Sequence, residues 1–439
     1  MNATTGKKLN KERVSLAMVN EPKKSFFRYE NGVVLMMFFT FGFVFMERLS
    51  VVYLFPFIAP DLKLNNAEIG MIVSILAICW SLSGFVFGSI SDLIGSRKKV
   101  LLPITLAFSL FSFLSGIAKS FGSMLLLRGL MGVSEGPVLP IAQAAVVAES
   151  SEKRRGFNLG FVQSSLGLIG STVTPLIVTA VATKYSWHAA FYLVGVPGIV
   201  MFFILLKWMI DPSKRMTKEQ AAAHDHRVKR EDYPAVFKSR NVWVCMVISA
   251  FMMTWLFAFT TFAPTYLTGH DKFTPEAMGL IMSAMGLGTF FWGFIGPAIS
   301  DKWGRKPTLI LFGFIATLSP VCLALVHGSI ATMMIIGFLT TAGQATFPLF
   351  MAVVPGESLK PKYVGTAVGL TQLVGEFIGG TAAPSIGGIA ADHFGLAAPL
   401  WIAAGGAFVS ALIAFGLRET APIRMKKSGA IVDQEVPAL

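Results

Sequence analysis

Apolar stretches of about 20 residues recur along the whole chain, separated by short segments that carry most of its charged residues. About 20 residues of helix cross the core of a bilayer, whereas the strands of a membrane β-barrel are shorter and alternate polar with apolar residues. The pattern therefore predicts an all-α polytopic membrane protein. The twelve predicted transmembrane helices lie near 32–59, 67–91, 100–118, 121–148, 157–182, 188–210, 240–268, 276–299, 307–327, 330–354, 363–391 and 396–417.

The composition supports this class. Of the 439 residues, 54% are apolar and 14% are charged, whereas about 25% of the residues of a typical soluble domain are charged. Cys79, Cys245 and Cys322 fall in apolar runs without the spacing of a disulfide or a metal site. We therefore expect these cysteines to pack in the core, and we expect no metal site.

Basic residues are distributed unevenly between the two sides of the predicted helices. Arg48 and Arg128 fall inside the membrane, and all other Lys and Arg residues except four lie on the side of the two termini. The four exceptions are Lys63, Lys119, Lys184 and Lys272. Cytoplasmic loops are rich in Lys and Arg, so we predict a multi-pass protein of the cell (plasma or inner) membrane with both termini cytoplasmic. The net charge of +13 then reflects topology and lipid headgroups, and no nucleic-acid partner is expected.

The two halves of the chain repeat each other. Residues 153–175 match residues 362–384 without a gap, and Gly156, Gly160, Gln163 and Pro175 fall on Gly365, Gly369, Gln372 and Pro384. Such a parallel repeat predicts two pseudo-symmetric six-helix bundles. The predicted domains are a cytoplasmic N-tail (1–30), an N-terminal bundle (31–210), a cytoplasmic loop (211–238), a C-terminal bundle (239–418) and a cytoplasmic C-tail (419–439).

Charged residues recur at matching positions in the two halves, at the cytoplasmic ends of predicted spans. Asp92, before Gly95 and Arg97, corresponds to Asp301, before Gly304 and Arg305, and Glu149-Ser150 corresponds to Glu357-Ser358. An Asp at a helix end can pair with basic residues and helix termini of the neighbouring bundle, which would hold the cytoplasmic side closed in one conformation. We therefore interpret Asp92, Arg97, Asp301, Arg305, Glu149 and Glu357 as gating residues, with the alternative that they only set the topology. The repeat and these loops resemble the major facilitator superfamily.

Four charged residues lie inside predicted spans. Glu47 and Arg48 are in span 1, and Arg128 and Glu135 are in span 4. Each ionised group at the centre of a bilayer costs roughly 3 kcal/mol on insertion scales, so charges that persist there are typically functional. Arg128 and Glu135 share one helix face, and Arg48 and Glu135 lie at similar depth, which predicts that Arg48 can meet Glu135.

Such a pair predicts a switch between an anion and a proton. An anionic substrate can pair with Arg48. Glu135 then has no partner in an apolar site and tends to take up a proton. Glu47 would be a second proton site, and Arg128 would attract the anion or hold Glu135. The alternative is that the four charges merely neutralise one another, although buried ion pairs contribute little net stability. The acid–Arg pair in span 1 and the Arg…Glu pair in span 4 resemble the anion:cation symporter family, which includes sugar-acid importers and sialin-like carriers.

Five further polar or aromatic residues are candidates. Gln163 and its repeat mate Gln372 could bond substrate hydroxyls or join helices. Trp80 and Trp255 could line the substrate cavity, although an aromatic residue in an apolar helix more often packs. Glu376, in the middle of span 11, is either a satisfied polar group or a secondary proton site. The residues aligned with Arg128 and Glu135 are uncharged, which predicts that the C-terminal half lacks this ion chemistry and shapes specificity.

These features predict proton-coupled symport of a small organic anion, such as a sugar acid, by alternating access. Antiport of organic phosphate and drug–proton antiport within the same superfamily are alternatives. No nucleotide-binding loop and no set of catalytic side chains is present in the sequence, so an enzyme is not expected. We expect no cofactor, a proton gradient as the driving force, and a monomer that functions with protons, a small anion and the lipid bilayer as partners.

Overall fold

The computed structural model describes residues 29–94, 96–151, 154–210, 236–359 and 361–427. Within these ranges, only the backbone is described for residues 85, 87–94, 361–362, 426 and 427. We number the helices in chain order and treat a broken span as one helix. They are α1 Tyr29–Leu62, α2 Asn66–Ile94, α3 Arg97–Ser115, α4 Phe121–Glu149, α5 Arg155–Lys184, α6 Trp187–Trp208, α7 Arg240–Gly269, α8 Pro275–Trp303, α9 Arg305–Leu325, α10 Ile330–Glu357, α11 361–394, α12 Ala398–Ala414 and the short α13 Pro422–Lys427.

The twelve-span prediction is confirmed. In the described residues, α1 to α10 are each long and apolar enough to cross a membrane, and α12 is a shorter apolar helix. The eleventh span consists of three consecutive segments, Pro361–Val374, Gly375–Gly380 and Thr381–Phe394. The predicted linker 211–238 lies largely outside the described residues, as do the predicted N-tail and much of the C-tail.

Hydroxyl side chains begin four of the helices on the side opposite the termini, which we call the far side. The side chains of Ser120, Ser186, Thr274 and Ser329 each accept a hydrogen bond from the backbone N–H three residues later, at the starts of α4, α6, α8 and α10. Such caps satisfy N–H groups that have no partner inside the helix. The side of the termini is called the tail side below.

Two spans contain a π turn at the same place in the repeat. In α5 the π turn is Leu166–Val173, and in α11 it is Gly375–Gly380. The alignment of the two halves places Leu166 on Gly375, so both π turns begin at matching positions. Glu376 lies inside the second of them. Single π turns within α-helices frequently occur at functional sites.

The far halves of the two bundles pack closely together. The Ser74 hydroxyl of α2 donates to the Thr381 carbonyl of α11 at 2.6 Å, and Ser385 of α11 donates to Ser74 at 2.8 Å. On the opposite face of the molecule, Ser283 of α8 donates to the Thr172 carbonyl of α5 at 2.7 Å. These two interfaces hold the far side closed.

The space around the glycines shows that the helices pack more closely at the far side than at the tail side. A Cβ added at Gly70 of α2 would collide with the Pro384 backbone of α11, and one at Gly286 of α8 would collide with the Ser171 backbone of α5. In the tail halves of α5 and α11, by contrast, a Cβ added at any of four glycines would meet nothing within 4 Å: Gly156, Gly160, Gly365 and Gly369. The structure is therefore closed at the far side and open between α5, α11 and their surroundings at the tail side.

Candidate functional site

Arg48 occupies the centre of the molecule, where the two bundles meet. Its guanidinium carbon lies 4.5 Å from the centre of the Trp80 ring, 5.6 Å from Phe45 and 5.3 Å from Phe257. Trp80 and Phe45 belong to the N-terminal bundle and Phe257 to the C-terminal bundle. Aromatic faces attract a cation, most strongly where water is excluded, and Arg48 is only 5% exposed. This arrangement fixes the plane and position of the guanidinium.

The ion pair of Arg48 crosses between the bundles. Its Nη2 donates to Glu376 Oε2 at 3.4 Å, from α1 to the π turn of α11. The other terminal nitrogen, Nη1, is buried and has no hydrogen-bond partner among the described residues. One terminal nitrogen of Arg48 is therefore hydrogen-bonded, and the other has no partner among the described residues.

This pairing corrects two expectations from the sequence. Arg48 bonds Glu376, which lies in the π turn of α11, and makes no hydrogen bond to Glu135. The C-terminal half therefore does contribute a carboxyl group to the central site. In this conformation one oxygen of the Glu376 carboxylate is bonded to Arg48, and a role for Glu376 as a secondary proton site stays a prediction.

Glu47 and Arg128 meet inside the N-terminal bundle. Arg128 Nη1 donates to the Glu47 backbone carbonyl at 3.4 Å, and its guanidinium lies 5.0 Å from the centre of the Phe191 ring. Glu47 Oε1 accepts from Ser109 of α3 at 3.2 Å. Both charged side chains are fully buried, and Glu47 Oε2, Arg128 Nε and Arg128 Nη2 have no hydrogen-bond partner in the described part of the chain.

Glu135 lies where α4 is broken. The helical segment Phe121–Glu135 ends there, and the next begins at Val138, after Gly136 and Pro137. Proline lacks an N–H and interrupts the helical hydrogen bonds, and a Cβ on Gly136 would collide with Ser83 of α2. Neither carboxylate oxygen of the fully buried Glu135 has a hydrogen-bond partner among the described residues. Arg48 and Arg128 both lie within electrostatic range of it.

A small cavity joins the two arginines. Arg48 and Arg128 both line it, with apolar residues of α1 and α2 and with Phe257, Thr260 and Thr261 of α7. The Thr261 hydroxyl is buried without a hydrogen-bond partner among the described residues. In this conformation the cavity is little larger than a water molecule, so a substrate carboxylate would need the neighbouring side chains to move before it could reach the two arginines.

The two candidate tryptophans differ. Trp80 contacts Arg48, as described above, whereas Trp255 packs inside the C-terminal bundle. The Trp255 indole N–H donates to Ser319 of α9 at 3.2 Å, its ring stacks near Phe259 and Phe347, and it is 1% exposed. Trp255 therefore does not reach the central site, and its indole N–H is already hydrogen-bonded within its own bundle.

Gln163 and Gln372 lie in the tail halves of α5 and α11, just before the two π turns. Gln163 is exposed and Gln372 is partly exposed, and neither side chain makes a hydrogen bond to another described residue. A role in joining helices requires such a bond, so the amides are better suited to contacting a substrate that enters from the tail side. That role stays a prediction.

The predicted gating residues of the C-terminal half form one cluster within their own bundle. Arg305 donates to Glu357 at 2.8 Å and to Asp301 at 2.5 Å, and Glu357 also accepts from Thr420 at 2.6 Å. In the N-terminal half, Arg97 donates to the Ala144 carbonyl at 2.8 Å. The side chain of Asp92 lies outside the described residues, and Glu149 ends α4. Because the tail side is open here, contacts of these residues across the bundles stay a prediction.

Four participants in the site were missed by reasoning from the sequence: Phe45, Phe257, Ser109 and Phe191. Each is an ordinary apolar or hydroxyl residue in an apolar span, and its place depends on how the helices pack. Only Ser109 had a signal in the sequence, because it is one of several hydroxyl residues in the apolar sequence of α3.

The profile of the Major Facilitator Superfamily matches residues 35–375 and 270–438. The chain belongs to the major facilitator superfamily. A protein of this superfamily with this fold is a membrane transporter, in agreement with the sequence-based prediction of transport rather than catalysis.

Curated relatives cover most of the chain. It is 26% identical over 428 residues to the hexuronate transporter of Bacillus subtilis, covering 92% of this chain and 98% of the relative. It is 26% identical to a probable 4-methylmuconolactone transporter of Cupriavidus pinatubonensis, covering 78% and 81%, and 25% identical to the D-galactonate transporter of Escherichia coli, covering 90% and 96%. These relatives agree with the resemblance to the anion:cation symporters.

Solved structures share the fold. A bacterial homologue of the human lysosomal transporter Spinster, in an inward-facing and occupied conformation, superposes with a TM-score of 0.71 at 17% identity, covering 88% of this chain and 96% of that one. The unoccupied inward-facing form gives a TM-score of 0.69.

Proposed function

We propose that the protein is a proton-coupled symporter of a small organic anion, with a carboxylate such as a sugar acid as its substrate. The observation that carries this proposal is the free Nη1 of Arg48 beside a cavity that also contains Arg128. A carboxylate in that cavity would find guanidinium groups held in place by aromatic rings. The hexuronate and D-galactonate transporters, to which the chain is similar, carry substrates of this class by name.

Proton coupling is assigned to Glu135 and Glu47. Three of their four carboxylate oxygens are buried without a hydrogen-bond partner among the described residues. A buried carboxyl group without such donors can hold a proton and thereby avoid an uncompensated charge. Their position beside Arg48 and Arg128 allows the arrival or departure of an anion to change the balance of charge around them. Arg128 holds this pair in place and adds to the attraction for the anion.

The tail side is assigned to the cytoplasm on the distribution of Lys and Arg, so the conformation described here is open to the cytoplasm. The protein would then lie in the cell membrane with both termini cytoplasmic. All residues of the central site come from one chain, so the transport unit proposed is a monomer. Alternating access would reopen the far side and close the tail side, where the Arg305 cluster and Arg97 lie.

The test is uptake into proteoliposomes of D-glucuronate, D-galactonate and N-acetylneuraminate, with and without a pH gradient that is acidic outside. Accumulation of at least one of them should require the gradient. Glu135→Gln should abolish gradient-driven accumulation but retain exchange of external for preloaded anion, because exchange needs no net proton movement. Asp61→Asn, which changes a half-exposed carboxylate of the far side, is the matched control. Accumulation that is indifferent to both the gradient and Glu135→Gln would refute the coupling.

A further inference from the structure

Glu376 places a carboxylate of the protein on the guanidinium that the proposed function gives to the substrate. It bonds Arg48 Nη2 at 3.4 Å and is itself 12% exposed at its side chain. Nη2 has two N–H groups and Glu376 uses one of them, so a substrate carboxylate that binds both terminal nitrogens of Arg48 would lie beside the Glu376 carboxylate and be repelled by it. The site is therefore partly filled by the protein in the conformation that is closed at the far side.

The Arg48–Glu376 ion pair also links the two bundles, which move relative to each other in alternating access. Arg48 is in α1 of the N-terminal bundle, and Glu376 is in α11 of the C-terminal bundle. The far-side contact between Ser74 of α2 and Ser385 of α11 involves the same helix, about two and a half turns further along the chain. We infer that opening the far side, which must break the Ser74–Ser385 contact, also separates Arg48 from Glu376 on the same helix.

Glu376 differs from its counterpart in the first half, although both lie in a π turn. Its repeat mate is Gly167, and a Cβ at Gly167 would lie 2.9 Å from the Phe290 backbone of α8. The α5–α8 interface thus requires a residue without a side chain at this point. The α11–α2 interface has room for a carboxylate there, and the carboxylate points to Arg48.

We propose that Glu376 is an internal competitor for the substrate anion, which occupies Arg48 when the far side closes. It thereby favours release of the anion at the tail side, and it keeps the far side closed in the empty carrier by compensating Arg48. A buried guanidinium left without a counter-charge is costly, so the pair stabilises the closed far side relative to a state in which Arg48 is empty and unpaired. The competition rests on the proposed function, whereas the effect on the far side does not.

Disulfide formation measures the far side without any substrate. Ser74→Cys with Ser385→Cys places two thiols where hydroxyls lie 2.8 Å apart, and the native Cys79, Cys245 and Cys322 are replaced in this background. Glu376→Gln should slow cross-linking by about fivefold or more, which is at the lower end of typical coupling between two sites. Arg48→Gln should slow it similarly, and Arg48→Gln with Glu376→Gln should be no slower than either single variant. The two single variants make the result independent of whether one of them folds.

Asp61→Asn is the matched control, because it changes a carboxylate that accepts a hydrogen bond from Trp187 within one bundle. It should cross-link at the rate of the unchanged protein. Cross-linking by Glu376→Gln and Arg48→Gln at that same rate would overturn the role of the pair in closing the far side.

The competition is tested by binding of D-galactonate and D-glucuronate to the purified protein. Glu376→Gln should bind at least one of them about fivefold more tightly or better, since the competitor is gone. Equal or weaker binding by Glu376→Gln would overturn the competition. If neither anion binds any variant, the assumed substrate class is wrong, and the cross-linking result still decides the effect on the far side.

Discussion

Asp392, at the end of α11, caps the start of α2 in the other bundle. Its Oδ1 accepts from the backbone N of Asn66 at 3.0 Å and from the Asn66 side chain at 2.8 Å, and its Oδ2 accepts from the backbone N of Ala67 at 2.9 Å. The α2 helix caps itself only at the next position, where Asn65 accepts from the N–H of Glu68. The first two N–H groups of α2 are therefore satisfied across the bundle interface.

Asp392→Asn should loosen the far side, because it removes the charge that interacts with the positive end of the α2 dipole. A charge at a helix N-terminus contributes about 0.3–1 kcal/mol, so the far-open fraction should rise about two- to fivefold. The measurement is labelling of Ser74→Cys by a membrane-impermeant maleimide added to the far side. Asp61→Asn should leave labelling unchanged, since Asp61 bonds Trp187 within its own bundle at 2.9 Å.

Gly70→Ala should prevent full closure of the far side. The added methyl group would collide with the Pro384 carbonyl, which is backbone and has no flexible side chain that could yield. Cross-linking of Ser74→Cys to Ser385→Cys should therefore fall sharply, and transport should fall with it. Gly122→Ala is the matched control, because a Cβ there would meet nothing within 4 Å. Normal cross-linking in Gly70→Ala would contradict the packing described for α2 and α11.

Arg48→Lys should reduce transport even though it keeps the charge. An ammonium group cannot lie flat between Trp80, Phe45 and Phe257, and it lacks the two terminal nitrogens that bind a carboxylate side by side. A desolvated cation–aromatic contact contributes about 2 kcal/mol, so uptake of the transported anion should fall at least about tenfold. Arg154→Lys, at a side chain that is 46% exposed, should retain full uptake.

Trp255→Phe should lower stability without changing the affinity for the transported anion. The variant loses the hydrogen bond to Ser319, which contributes about 1 kcal/mol, and keeps most of the aromatic packing. The apparent unfolding temperature in detergent should fall by a few degrees, while the half-saturating anion concentration stays constant. Trp401→Phe, at a position that is 49% exposed, should change neither. A weakened affinity in Trp255→Phe would restore this residue to the substrate site.

The architecture could be predicted from the sequence because apolar length and the repeat are local signals. Both identify spans and halves without any knowledge of which helices touch. The same signals placed Glu47, Arg48, Arg128 and Glu135 within the N-terminal bundle, where the structure has them close together.

The partner of Arg48 could not be predicted in the same way. Within the N-terminal half the two buried acids already balance the two buried arginines, so no unpaired cation pointed to a carboxylate elsewhere. Glu376 is separated from Arg48 by most of the chain, and its position depends on a π turn that apolar periodicity does not reveal. The aromatic rings around Arg48 could not be predicted either, because the sequence of an apolar helix does not show which of its aromatic residues contact a charged side chain.

The π turns of α5 and α11 begin at equivalent positions of the two halves, so the same irregularity occurs twice in one chain. One copy has a glycine that lets a neighbouring helix approach, and the other has a glutamate that reaches an arginine. One backbone distortion thus supports a packing contact in one half and a charged contact in the other, so two halves of like architecture can perform unlike tasks within one carrier.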